Sequence, residues 1–174
     1  MTDAEAEKTQ VALEPLGPQP SQMKEFDFII GNWAAIRRRY LPDGTLVSEN
    51  KARWRAHHLD NGRMVFDDFA ELSPDGEEVS YAVTLRTFCP ETNMWEMGFM
   101  FSLRQTRTES FRGQFIDGEG HFDAIINVTP DQSVMAKVRF FDIQKDSIEW
   151  SMTQSFDGGK TWFLEGTISA KRVS

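Results

Sequence analysis

Tight turn signals recur along the chain at near-even intervals: Pro42-Asp43-Gly44, Asp60-Asn61-Gly62, Pro74-Asp75-Gly76, Pro90-Glu91, Asp117-Gly118, Pro130-Asp131, Lys145-Asp146 and Asp157-Gly158-Gly159. Proline presets φ for a turn, and glycine or asparagine reaches the positive φ that a tight hairpin needs. Between these signals lie β-branched and aromatic runs of about 7 to 12 residues with no helical period, which read as roughly ten strands. Consecutive hairpins make a meander, and a meander this long closes on itself to remove its exposed edges. The expected fold is all-β, a single antiparallel up-and-down β-barrel of about ten strands. A two-sheet sandwich is the alternative, but its crossover wants a longer irregular connection.

The 174 residues suit one domain. Residues 1 to 22 include LEPLGPQPSQ and few large apolar groups, so they read as a flexible tail ahead of a barrel domain spanning 23 to 174. A net charge of −8 argues against a grip on nucleic acid or anionic lipid, both of which need a basic surface. Cys89 is the only cysteine, so no internal disulfide ties the fold to an oxidising compartment. The start MTDAEAEKTQ lacks the apolar core of a signal peptide, and no apolar run reaches membrane-spanning length. A cytoplasmic protein with neither a nucleic-acid nor a membrane partner is expected.

FDFIIGNW, beginning at Phe26, and SFDGGKTW, ending at Trp162, carry a resemblance. Together they are similar to bacterial lipocalin-like (calycin) barrel families of unknown function, and the likeness spans most of the chain. It implies a short helical turn before the first strand, with Gly31 and Trp33 closing one end of the barrel. It also implies that Trp33 packs on a basic residue of the last strand, Lys171 or Arg172. Some barrels with a similar start bind haem through a histidine near the C-terminus, but this chain has none after His121. No cofactor is expected.

The segment FIIGNWAAIRRRY poses a question of parity, because side chains alternate faces along a strand. If Trp33 points inward, Ala35, Arg37 and Arg39 follow it; a register slip would instead turn Arg38 inward alone or leave all three solvated. On the second strand Asn50, Ala52, Trp54, Ala56 and His58 oppose a charged row and read as the inner face. On the third, Met64, Phe66, Asp68, Ala70 and Leu72 form an apolar row broken by Asp68, a carboxylate that would need a cation or several donors. Tyr81, Val83 and Leu85 are expected inward next, then Trp95, Met97, Phe99 and Phe101, then Phe111 and Phe115, and later Trp150, Met152 and Gln154. Arg86 and Arg139 fall outward, although one bulge would invert either.

A greasy lumen with a few convergent polar groups is what a small-molecule site looks like. Two functions follow. One is binding of a small hydrophobic or aromatic molecule, with Arg37 or Arg39 as the bidentate partner of a carboxylate and Trp54, Phe66, Phe99, Trp150 and Gln154 in the wall. The other is a cofactor-independent lyase, isomerase or cyclase in which Asp68 or His58 acts as acid or base and Tyr81 donates a hydrogen bond. Asp68 with Arg37 or Arg39 can equally be a structural ion pair. No metal site is expected: adjacent His57 and His58 point to opposite faces, and no Cys-x-x-Cys or His-x-His spacing occurs. No nucleophile elbow or phosphate loop is present. Outward aromatics, among them Tyr40, Phe69 and Phe88, would mark a homo-oligomer interface if one exists.

Overall fold

Ten antiparallel strands close into one barrel in the computed structural model, which describes residues 17–102, 108–129 and 132–173. They are β1 Gly31–Tyr40, β2 Leu46–Leu59, β3 Met64–Leu72, β4 Glu78–Cys89, β5 Met94–Phe101, β6 Thr108–Ile116, β7 Glu119–Thr129, β8 Gln132–Phe141, β9 Ser147–Ser155 and β10 Phe163–Arg172. Each pairs with its sequence neighbours, and β1 closes on β10 in pairs running from Trp33↔Arg172 to Arg39↔Gly166. Closure leaves no unpaired sheet edge among the described strands, which is why a meander of this length is stable. Two-residue turns do the reversing where the chain allows them: Asp117 (φ 52°) and Gly118 (φ 82°) join β6 to β7 with the positive φ pair of a type I′ hairpin. The expected turn at Pro130-Asp131 lies outside the described residues, as do residues 1–16 of the expected tail.

One end of the barrel is plugged from below. Ser21–Ile29 form a 3-10 helix, and the three-residue spacing of Met23, Phe26 and Ile29 puts all three on one buried face. Ser21 and Gln22, expected in the tail, already belong to this helix. Phe26 enters the barrel and meets Trp95, Phe115 and Phe140 edge-on, with ring centres 4.7, 5.0 and 5.5 Å away. Edge-to-face packing aligns a ring's positive edge with its neighbour's negative face and adds about 0.5–1.5 kcal/mol per pair to the area buried. Trp33 then locks the helix to the barrel, its Nε1 donating to the Ile29 carbonyl at 2.7 Å. Arg172 covers the Trp33 ring at 4.1 Å, while Lys171 is exposed. The other end is open.

Candidate functional site

The inner face is set by register. Trp33↔Trp54 and Arg37↔Asn50 align the inner rows of β1 and β2 as expected. From there the pairs Trp54↔Phe69 and Ala56↔Asp67 turn Asp67, Phe69 and Glu71 inward on β3, and Asp67↔Thr84 with Val65↔Arg86 turn Thr84 and Arg86 inward on β4. This corrects the parity read for both strands. Asp68 and Phe66 lie on the outside: Asp68 is held by Arg53 at 2.5 Å and Arg55 at 3.0 Å, and Phe66 packs on the His57 ring at 5.1 Å. Outer-face arginine stems shelter the apolar row that looked like core, and ion pairs make the inner carboxylates tolerable.

Other expected residues are placed as follows. Val83 and Leu85 share the outer row of β4, and Tyr81 is half-buried where that row borders the open end. His58 sits exposed at the plugged end, its Nε2 3.0 Å from Asp27, away from the lumen. Phe69 and Phe88 are not outward interface aromatics, since Phe69 faces the cavity and Phe88 is buried beside Trp95. Arg37, Arg39, Trp54, Phe99, Trp150 and Gln154 all border the lumen. Arg139 is outward, paired with Glu119.

The lumen encloses about 970 Å³ above the plug. Trp54, Phe69, Phe99, Phe111, Phe140 and Trp150 give it an aromatic wall. Its volume is that of a site for a drug-sized molecule. Against this wall stand charged groups in two tiers.

The upper tier lies near the mouth. Arg37 is buried and donates from Nη2 to Glu165 at 2.7 Å and from Nη1 to the Arg38 carbonyl at 2.9 Å, with its guanidinium 5.0 Å from the Trp150 ring centre. Burial lowers its pKa while Glu165 opposes that shift. Arg39 forks onto Glu71, one arm at 2.6 Å, and Asn50 donates to the same carboxylate at 3.0 Å. Burial alone would raise the Glu71 pKa, but the bonds from Arg39 and Asn50 outweigh it and leave the pKa lowered.

The lower tier rests on the plug. Asp67 is 2% exposed; it accepts from Trp54 Nε1 at 2.9 Å and forms a salt bridge with Arg86. Arg86 is 3% exposed, and its guanidinium stands 5.0 Å from the Phe26 ring centre and 5.9 Å from that of Phe140. Burial draws its pKa down to about 9, which leaves it charged at neutral pH. Glu109 faces the lumen from β6, opposite Phe99. Among the described residues no three histidine, cysteine or carboxylate side chains group to hold a metal ion.

Asp67, Glu71, Glu109 and Glu165 were missed by the sequence reading. One signal was present for Glu165: a glycine follows it in a strand run, and isolated strand glycines mark bulges. The β9–β10 register does shift between Leu164 and Gly166, which frees Glu165 to reach Arg37. A Cβ at Gly166 would collide with the Arg37 guanidinium, so the glycine makes room for the arginine.

The fold is similar to that in the crystal structure of Rv2717c from M. tuberculosis, with a TM-score of 0.63 and 11% identity over 90% of this chain and 100% of that one. It is also similar to the S-type phycobiliprotein lyase CPES from Guillardia theta, with a TM-score of 0.55 and 13% identity over 90% of this chain and 99% of that one. No family model matches the chain, and no curated protein matches it. Likeness at such identities shows the fold alone: a closed antiparallel barrel. No described helix is long and apolar enough to cross a membrane.

Proposed function

We propose that the chain binds a small hydrophobic or aromatic molecule in the barrel lumen. The observation that carries this reading is an aromatic-walled space of about 970 Å³, open at one end and sealed at the other by the Phe26 plug. A protein that needed only stability would fill such a volume, because cavities cost packing energy. FDFIIGNW and SFDGGKTW support placing it with the bacterial lipocalin-like barrels that share those stretches, and a fold with a single cysteine, which needs no oxidising compartment, supports a cytoplasmic setting. Arg37 and Arg39, the expected carboxylate anchors, are already bonded to Glu165 and Glu71. The reading therefore rests on the wall and not on them.

A second reading is a cofactor-independent lyase or isomerase. It is favoured by the buried lumen carboxylates Asp67 and Glu109, since a simple carrier has little use for such groups. The likeness to a phycobiliprotein lyase supports it at the level of fold.

Titration with a neutral naphthalene fluorophore tests the first reading, because Trp54 and Trp150 in the wall would pass excitation energy to a bound fluorophore. Saturable energy transfer at one site per chain is expected. Failure of every apolar probe to saturate would overturn it. Turnover of a bound compound, abolished by Asp67→Asn with binding retained, would favour the second reading.

A further inference from the structure

Of the three guanidiniums that line the lumen among the described residues, Arg86 makes the fewest bonds to protein. Arg37 reaches Glu165 and two main-chain carbonyls, and Arg39 spends both terminal nitrogens on Glu71. Arg86 has five N–H donors like any arginine. Among the described residues its one hydrogen bond runs from Nη1 to Asp67, and the buried Nε finds no acceptor. A buried donor left unsatisfied bears its full desolvation cost, larger when the group is charged. Such a cost is rarely carried in a finished core. Here the group borders an open cavity rather than solid packing.

We infer that Arg86 is the anchor for the ligand's polar head, that the head is an uncharged oxygen acceptor such as a ketone, quinone or lactone carbonyl, and that the ligand sits head-down on the plug with its apolar body toward the mouth. This rests on the lumen-binding reading and assigns its orientation and ligand class.

Three observations converge on it. The donors left over lie at the deep end, where the rings of Phe26 and Phe140 flank the guanidinium. An acceptor placed there gains a charge-assisted bond in a low-dielectric setting, where such bonds are strongest. The head is neutral because the Arg86–Asp67 pair is already neutral as a unit, and Trp54 adds only an uncharged donor. Among the described residues each lumen guanidinium is already matched by a carboxylate: Arg37 by Glu165, Arg39 by Glu71 and Arg86 by Asp67. An anionic head would find these guanidiniums already neutralised and would bear its full desolvation besides. A carbonyl oxygen pays much less and still accepts from Arg86. The aromatic wall above suits a flat or elongated apolar body.

The test compares three probes of one shape on the full chain: 2-acylnaphthalene, the alkylnaphthalene without the carbonyl, and 2-naphthoate. The first two are also measured on the double variant Asp67→Asn with Arg86→Met, which removes both charges together and so leaves neither buried alone. The ketone should bind the parent at least tenfold tighter than the hydrocarbon and the naphthoate. In the double variant the ketone should lose its advantage over the hydrocarbon, so that the two bind with equal affinity. Infrared spectra of the parent complex should show the ketone stretch shifted to lower frequency relative to the probe in alkane, a measurement that holds even if the double variant fails to fold. Equal affinities for ketone and hydrocarbon, or an unshifted stretch, would overturn the anchor. Tighter binding of the naphthoate would overturn the neutral head. If none of the three probes bound the parent, the lumen-binding reading itself would fall, a result distinct from the others.

Discussion

Arg172 sits over Trp33, its guanidinium 4.1 Å from the ring centre, and from that position donates to the Phe28 carbonyl at 2.8 Å and the Lys145 carbonyl at 2.9 Å. One side chain thus joins the last strand, the first strand and the end of the entry helix. The plug that makes the barrel a cup depends on it.

Arg172→Met should therefore loosen the plug before it loosens the barrel. The loss of charge-assisted bonds and ring stacking is expected to cost about 2–4 kcal/mol. Equilibrium unfolding in urea measures the loss. Arg172→Lys should recover only part of it, because an ammonium cannot fork between carbonyls while lying on a ring.

The buried pair Asp67 and Arg86 should show strong coupling. Arg86→Met alone strips the buried Asp67 carboxyl of its cation and is expected to cost about 3–5 kcal/mol. Adding Asp67→Asn should restore much of that stability. A double-mutant cycle read by denaturant midpoints checks it, and strictly additive losses would deny the coupling.

Gly166→Ala should displace the Arg37 guanidinium, since the new methyl would occupy its place and crowd the Arg38 carbonyl as well. Overpacking of this kind costs about 1–3 kcal/mol. With Arg37 shortened as well, in Arg37→Ala, the alanine at 166 should cost less than it does alone. Thermal unfolding of the two single variants and the double variant measures this.

The β9–β10 hairpin carries an acid-sensitive element. Asp157 accepts from the Thr161 main chain at 2.9 Å and hydroxyl at 2.7 Å, and from the Ser155 hydroxyl at 2.8 Å, which together lower its pKa to about 2. A carboxyl with a depressed folded pKa adds stability that is complete above its unfolded value, and that stability is lost as pH falls through the folded one. The parent should exceed Asp157→Asn in stability at neutral pH, and the gap should close between about pH 4 and about pH 2. Unfolding midpoints of both across that range provide the check.

Much of this architecture was legible from turns alone. Pro-Asp-Gly and Asn-Gly steps mark reversals whatever surrounds them, so strand number and the up-and-down order followed from local chemistry. Parity was legible on β1, where Trp33 leads the row, and on β5, where Trp95, Met97 and Phe99 leave no doubt. It failed on β3 and β4. There the outer row, Met64, Phe66, Ala70 and Leu72, is the more apolar one, while the inner row carries Asp67 and Glu71. What makes those carboxylates tolerable inside is Arg86 from the next strand and Arg39 from two strands away. Alternation within one strand cannot register a partner that only the closed barrel supplies. The site was legible as a lumen but not as a set of ion pairs.

Where a ligand sits tests the account most directly. Nuclear Overhauser contacts between a bound acylnaphthalene and the assigned protein should link the probe to Phe99, Phe111 and Trp150 within the lumen. Contacts confined to exposed groups at the mouth, such as Leu46, Val47 and Phe156, would contradict it.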